Sequence, residues 1–168
     1  RAPAFFAIAA QAKKAGARVA VDNTFLSPAL QRPIALGADL VIHSTTKYIN
    51  GHSDVVGGAV VCANEADAAA LSHWANVTGS IGSPFDAYLT LRGVRTLFPR
   101  IERQQENAAA VAAFLAGRDE VAAVHYPGLA SHPSHAIART QQAGFGAMLS
   151  FDLAGGTDAV RRFVEAVR

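Results

Sequence analysis

The chain has 168 residues, of which 51% are apolar and 17% are charged. This balance is typical of a folded globular protein and excludes a disordered chain. The formal net charge is only +2 and the 15 basic residues are scattered, so the calculated pI of about 9.0 does not predict a nucleic-acid partner. A single cysteine, Cys62, excludes an internal disulfide, and no apolar run is long enough to cross a bilayer. These features favour a cytoplasmic protein without a membrane partner.

The two ends predict that the sequence is a fragment of a longer protein. It begins at Arg1 without an initiator methionine, and it stops at Arg168 inside a segment, 158–168, whose pattern is that of an amphipathic helix.

The first 43 residues alternate between helix and strand. Residues 5–14 are alanine-rich and end in two lysines followed by glycine, which predicts a helix and its end. Residues 17–22 and 39–43 have the apolar character of buried strands, separated by a short, proline-containing helical stretch. This order predicts an α/β fold with a mainly parallel sheet and flanking helices, in which ligands bind beyond the carboxyl ends of the strands.

The rest of the chain continues with further helices and strands. The predicted elements are a strand at 59–62, a helix at 65–77 with Asn64 as its N-cap, a helix over 85–115 interrupted near Gly93 and Pro99, strands at 121–126 and 147–153, and helices at 135–142 and 158–168. Trp74, Phe85 and Tyr88 are predicted to be packing residues. We expect a boundary near Gly117, with residues 1–116 forming part of a large domain with its linking helix and residues 117–168 beginning a smaller α+β domain.

Lys47 is the strongest candidate for a catalytic residue. It lies in His43-Ser44-Thr45-Thr46-Lys47-Tyr48, directly after the predicted strand 39–43, and Asp22 ends the preceding strand. A lysine, neighbouring hydroxyls and a carboxylate at strand ends are what pyridoxal phosphate requires: the amine condenses with the cofactor aldehyde, the hydroxyls bind the phosphate, and the carboxylate keeps the pyridine nitrogen protonated. The pattern predicts such a site.

Each of these residues also has a simpler interpretation. A lysine in a polar loop is usually just solvated, and Asp22 could be a strand-end turn residue or a helix cap. Ser44 and Thr46 could be capping hydroxyls, although a helix start with free amides is also a phosphate site. His43, His52 and Asp54 lack the spacing of metal ligands, so we expect no metal site.

The sequence resembles the Cys/Met-metabolism family of pyridoxal-phosphate enzymes along nearly its whole length. The motifs that carry the resemblance are Val21-Asp22-Asn23-Thr24-Phe25-Leu26-Ser27-Pro28, His43-Ser44-Thr45-Thr46-Lys47-Tyr48-Ile49-Asn50-Gly51-His52-Ser53-Asp54, Ser83-Pro84-Phe85-Asp86-Ala87-Tyr88-Leu89, Leu91-Arg92-Gly93-Val94-Arg95-Thr96-Leu97, Tyr126-Pro127-Gly128-Leu129 and Gly144-Phe145-Gly146-Ala147-Met148. The resemblance implies the fold-type-I transferase architecture. It makes Lys47 the lysine that binds the cofactor aldehyde, Asp22 the partner of the pyridine nitrogen, and Ser44 and Thr46 contacts of the phosphate. It also implies small amino-acid substrates and a homotetramer built as a dimer of dimers.

Family members are more than twice as long as this sequence. Their other segments supply a tyrosine that stacks on the cofactor ring, a phosphate-binding loop, a tyrosine-arginine pair and the arginine that holds the substrate carboxylate. None of these has a counterpart here, so the resemblance implies that a complete active site needs more than these 168 residues.

Within the family, residues 25–31 and 140–151 are most similar to bacterial cystathionine γ-synthases. This implies a γ-replacement in which an activated homoserine ester, such as O-succinylhomoserine, reacts with cysteine to give cystathionine in methionine biosynthesis. Cystathionine γ-lyase, methionine γ-lyase and homoserine-ester sulfhydrylase are the alternatives within the family. A catalytically inactive fragment or an assembly module that retains the fold is the alternative outside enzymes.

Overall fold

The computed structural model describes residues 4–167. Its helices are α1 (Phe5–Lys14), α2 (Ser27–Leu30), α3 (Glu65–Thr78), α4 (Pro84–Val94), α5 (Leu97–Ala116), α6 (His135–Gln141) and α7 (Gly156–Ala166), with a short 3-10 helix at Pro33–Leu36. Its strands are β1 (Ala20–Asp22), β2 (Leu40–Ser44), β3 (Gly58–Cys62), β4 (Val121–His125) and β5 (Ser150–Leu153). The predicted last residue of α7, Arg168, lies outside the described range. Within that range no helix combines the length and the apolar character needed to cross a membrane.

The first sheet contains β1, β2 and β3 in that order. The strands β1 and β2 pair in parallel, with Asp22 opposite Ile42, as the alternation of helix and strand predicts. In contrast, β3 pairs antiparallel to β2, with Ser44 opposite Gly58. The α/β class is confirmed, but the sheet described here is mixed rather than mainly parallel. The reason is that residues 45–57 form turns instead of a crossover helix, so the chain returns along β2 in the opposite direction.

Local sequence signals place the ends of α3, α4 and α5. Asn64 is the N-cap of α3, as predicted, because its side-chain oxygen accepts a hydrogen bond of 2.9 Å from the Asp67 amide. The long helical stretch breaks after Val94 and resumes at Leu97, close to the predicted interruption near Gly93. Pro99 does not interrupt α5, because it lies in the first turn, where the amide has no partner within the helix.

The helix α5 joins the first sheet to the second. The strands β4 and β5 pair antiparallel and form this second sheet. Ala108 and Ala112 of α5 are buried together with Tyr126, which follows β4. The second sheet is therefore held against α5 by a small apolar core.

The three aromatic residues predicted to pack are exposed. Trp74, Phe85 and Tyr88 have 61%, 66% and 61% of their surface accessible, so within the described chain that prediction is wrong. The buried residues of their helices are Asp67 in α3 and Gly93 in α4, which shows that other faces of these helices contact the chain. Phe85 and Tyr88 stack on each other, with ring centroids 6.4 Å apart.

The contact of Gly93 with the turn after β2 generates a prediction. A Cβ atom at Gly93 would overlap the backbone oxygen of Asn50, so we expect Gly93→Ala to lower the free energy of unfolding by roughly 1–3 kcal/mol. Gly82→Ala is the matched control, because nothing lies within 4 Å of its Cβ position, and its effect should stay within about 0.5 kcal/mol. Urea unfolding of the protein expressed from its complete reading frame measures both changes. Equal midpoints for the two variants would contradict the contact.

Candidate active site

The ends of β1 and β2 are joined by hydrogen bonds through Thr24. The backbone amide of Ser44 donates to Thr24 Oγ1 at 2.8 Å, and the amide of Thr24 donates to Asp22 Oδ1 at 2.9 Å. Because the two strands run in parallel, both residues lie at the same edge of the sheet. The structure therefore brings Asp22 and Ser44 together at the place that the sequence predicts.

Asp22 carries a carboxylate that stays ionised. The hydrogen bond to the Thr24 side chain is the largest of the effects that lower the pKa of Asp22, followed by the bond from the Thr24 amide, while the charge of His43 has a smaller effect in the same direction. Both hydrogen bonds favour the charged form. Asp22 is thus a negatively charged acceptor, suited to a protonated ring nitrogen.

Lys47 lies in a turn that begins where β2 ends. Its amide donates to the Ser44 oxygen at 3.3 Å, and its own oxygen accepts from the Gly51 amide at 2.8 Å. Inside the same turn the Asn50 amide donates to the Thr45 oxygen at 2.9 Å. These bonds fix the backbone around Lys47, whose side chain is exposed.

The side chain of Lys47 borders an open groove of about 840 Å³. The other residues that line it include Phe25, Thr46, Tyr48, Asp54, Gln104 and Met148. Sequence reasoning missed Phe25, Gln104 and Met148 as groove residues, because nothing in the local sequence signals that they meet Lys47.

Met148 reaches the groove through a segment that is fixed at Gly146. The Gly146 amide donates to Gln105 Oε1 at 3.1 Å, and the Tyr126 hydroxyl donates to the Gly146 oxygen at 3.0 Å. Gly146 has a φ of 75°, a conformation that favours glycine. Residues on both sides of Gly117 therefore form the groove.

The hydroxyl of Thr46 is already hydrogen-bonded to the backbone of Gly57. Its Oγ1 accepts from the Gly57 amide at 3.0 Å and its hydroxyl donates to the Gly57 oxygen at 3.3 Å. The hydroxyl proton of Thr46 is therefore already donated to the Gly57 oxygen. Ser44 is half-buried at the end of β2.

The residues at this edge fit pyridoxal phosphate. Lys47 offers an exposed amine on a groove whose volume falls in the usual range for cofactor sites, Asp22 offers a charged acceptor, and Ser44 offers a hydroxyl. Among residues 4–167 no group of three or more His, Cys, Asp or Glu side chains could hold a metal ion. Of the three residues considered for a metal, His52 contacts the Asn50 oxygen and Asp54 accepts from the Asn50 amide group.

Comparison with known proteins gives one family. The model of the Cys/Met metabolism PLP-dependent enzymes matches residues 2–168. Cystathionine gamma-synthase of Mycobacterium leprae is 57% identical over 86% of this chain, which covers 37% of the relative. Cystathionine gamma-lyase of Dictyostelium discoideum is 46% identical over 96% of the chain and 42% of the relative.

A solved structure extends the similarity to three dimensions. Cystathionine gamma synthase from Xanthomonas oryzae pv. oryzae, in complex with cystathionine, superposes with a TM-score of 0.97 at 59% identity. The match covers 100% of this chain and 43% of that one. The chain thus spans about two fifths of the length of the relatives it matches.

His43, next to this site on β2, generates a prediction about pH. Burial lowers the pKa of His43 from its usual 6.5, and the nearby charge of Asp22 offsets this only in part. Below pH 6.5 the unfolded chain therefore binds a proton at this histidine that the folded chain does not. The contribution of His43 to the free energy of unfolding is therefore fully present above pH 6.5, and it is lost as the pH decreases toward the pKa of the folded state.

We expect His43→Leu to reduce this loss of stability on acidification, whereas His73→Leu, at an exposed position of α3, should retain it. Urea unfolding of the cofactor-free protein at several values between about pH 7.5 and about pH 5 measures the slope. Identical slopes in wild type and His43→Leu would exclude His43 as its source.

Proposed function

Since the chain belongs to the Cys/Met metabolism family of pyridoxal-phosphate-dependent enzymes, we propose that this protein catalyses a γ-replacement. In this reaction the thiol of cysteine replaces the acyloxy group of an activated homoserine ester and gives cystathionine. The observation that carries the proposal is the hydrogen-bonded path from Asp22 through Thr24 to Ser44, with Lys47 in the turn that follows. The similarity to proteins named cystathionine gamma-synthase supports the choice of reaction.

Lys47 and Asp22 have separate roles in this proposal. When bound, pyridoxal phosphate supplies an electron sink for the charge that develops on the substrate carbon. The amine of Lys47 would hold the cofactor and, when free, would take up the α-proton and move protons between the substrate carbons as a general base and acid. Asp22 would keep a proton on the ring nitrogen through a charge-assisted hydrogen bond.

Ser44 and Thr46 are proposed contacts of the cofactor phosphate. Ser44 is half-buried at the end of β2, where its backbone oxygen accepts from the Lys47 amide. Thr46 must turn its hydroxyl away from the Gly57 oxygen before it can donate to a phosphate. We therefore expect Ser44 to contribute more to cofactor affinity than Thr46.

The bond changes distinguish the synthase from its closest rival. In the γ-replacement, the bond from the γ-carbon to the ester oxygen breaks, the acyl group leaves as a carboxylate, and a bond forms between the γ-carbon and the sulfur that has lost its proton. In a γ-lyase acting on cystathionine, the bond from the γ-carbon to sulfur breaks, the sulfur gains a proton and leaves as cysteine, and water then hydrolyses the remaining four-carbon part to 2-oxobutanoate and ammonia. The similarity to cystathionine gamma-lyase keeps this second activity as the alternative.

We also propose the domain division, the assembly and the location of the protein. The large domain ends with α5 near residue 116, and residues 117–168 begin the smaller domain. Exposed apolar side chains on α3, α4 and α5, such as Trp74, Phe85 and Phe98, support a homo-oligomer, which we take to be a tetramer in the cytoplasm. Light scattering of the full-length protein tests the assembly: a tetramer mass is expected, and a monomer mass would contradict it.

Product analysis tests the proposed reaction. The full-length protein with bound cofactor should form cystathionine from O-succinylhomoserine and cysteine faster than it releases 2-oxobutanoate from cystathionine. The reverse order would favour the γ-lyase. A protein that carries no lysine-linked cofactor and makes neither product would favour a non-catalytic module.

Replacement of Lys47 tests its role. We expect Lys47→Ala to abolish cystathionine formation and to remove the pyridoxyl adduct that borohydride reduction leaves on the Lys47 peptide, because among residues 4–167 the other lysines, Lys13 and Lys14, do not line the groove. Lys14→Ala is the control, since Lys14 is an exposed residue at the end of α1, and its activity should stay at the level of wild type. A pyridoxyl adduct on a different lysine of the wild-type protein would contradict the assignment.

A further inference from the structure

Arg100 is a partly buried cation that contacts the turn containing Lys47. Its Nη1 donates to the Tyr48 oxygen at 2.9 Å, its Nη2 donates to the Gly93 oxygen at 2.9 Å, and its Nε donates to Thr96 Oγ1 at 3.1 Å. One guanidinium therefore connects the residue next to Lys47 with the end of α4 and the residue before α5.

The partners of Arg100 are neutral oxygens. Among residues 4–167 it forms no ion pair with a carboxylate, and burial lowers its pKa. A partly buried cation whose partners are carbonyl and hydroxyl oxygens has no opposite charge to offset its loss of water, so the arrangement is costly if it serves stability alone. The planar fork of arginine, however, fixes several acceptors in one geometry, which a single ammonium group does not.

Two glycines allow the turn to lie directly against this guanidinium. Gly51 has a φ of 71°, and a Cβ atom there would overlap Nη1 of Arg100. A Cβ atom at Gly93 would overlap the Asn50 oxygen. The backbone of residues 48–51 is thus in close contact with α4 and with Arg100 at the start of α5.

Arg100 does not itself contact the groove. It is absent from the residues that line the groove, whereas Lys47, Tyr48 and Gly51 are among them. Any effect of Arg100 on a bound molecule is therefore transmitted through the backbone of the turn.

We propose that Arg100 is a positioning residue for Lys47: it fixes the backbone of residues 47–51 so that the lysine amine stays at the strand end. This inference rests on the proposed function of Lys47. A misplacement of about 1 Å can reduce a rate by about 100-fold, and the contact acts on the amine rather than on the substrate. Loss of Arg100 should therefore lower kcat and leave KM nearly unchanged.

The test compares Arg100→Met and Arg100→Lys with Arg103→Met in the full-length protein with bound cofactor. Arg103 lies almost one turn further along α5, is exposed and pairs with Glu106, so its variant should match wild type. We expect Arg100→Met to lower kcat roughly 10- to 100-fold with KM within about twofold. Arg100→Lys keeps the charge and one donor, so its kcat should lie between the kcat of Arg100→Met and that of wild type. A higher KM with an unchanged kcat would overturn the proposal.

A second measurement does not depend on turnover. In the cofactor-free protein, amide hydrogen exchange of residues 47–51 should be faster in both Arg100 variants than in wild type, while exchange in α1 stays the same. If Arg100→Met does not fold, Arg100→Lys decides: wild-type kcat together with wild-type exchange in the turn would overturn the proposal. If the wild-type protein forms no cystathionine, the proposed reaction fails but the exchange measurement still tests Arg100.

Discussion

The bond from the Ser44 amide to Thr24 Oγ1 is the contact on which the site depends. It joins the ends of two parallel strands, and the same threonine donates to Asp22 through its own amide. A single hydrogen bond of this kind contributes only about 1 kcal/mol to stability. Its importance lies in geometry, because it sets the distance between the carboxylate at one strand end and the turn that begins at the other. Thr24 also keeps Asp22 ionised through its side chain and amide, and the Lys47 turn begins at Ser44, whose oxygen accepts from the Lys47 amide.

The turn after β2 is held from two sides. On the side of the sheet, the amide of Thr45 donates to the Gly57 oxygen at 2.9 Å, which ties the turn to the chain entering β3. On the other side, Gly93 and Arg100 contact its backbone directly. Interactions from both sides leave the backbone near Lys47 little freedom while its side chain remains exposed. A rigid backbone with an accessible amine is the arrangement that a covalent cofactor link requires.

Sequence reasoning succeeded where the signal is local. The bounds of α1 follow from its alanine content and the lysines before Gly16, and the cap at Asn64 follows from side-chain chemistry. The parallel pairing of β1 and β2 follows from the order of elements. These features depend on neighbouring residues or on general rules of chain connection, so one sequence is enough to find them.

The missed features depend on contacts between distant segments. Arg100 is 52 positions from the oxygen of Tyr48 that it contacts, and nothing beside it in the sequence marks it as different from Arg103. The antiparallel return of β3 depends on how residues 45–57 turn, which apolar periodicity does not encode. The exposure of Trp74 is missed for a related reason: a large aromatic residue predicts burial, but the sequence does not say which molecule covers it.

The groove is lined by residues from both sides of the proposed boundary near Gly117. Met148 lies 101 positions after Lys47 (148 − 47 = 101) and lines the same groove. Its segment is fixed by Gln105 of α5 and by Tyr126, whose ring is buried with Ala108 and Ala112. The core beneath the second sheet therefore supports one wall of the groove, and the turn at the end of the first sheet supports the other. The helix α5 therefore supports both walls, because it carries Arg100, which donates to the turn after β2, and Gln105, which accepts from the Gly146 amide.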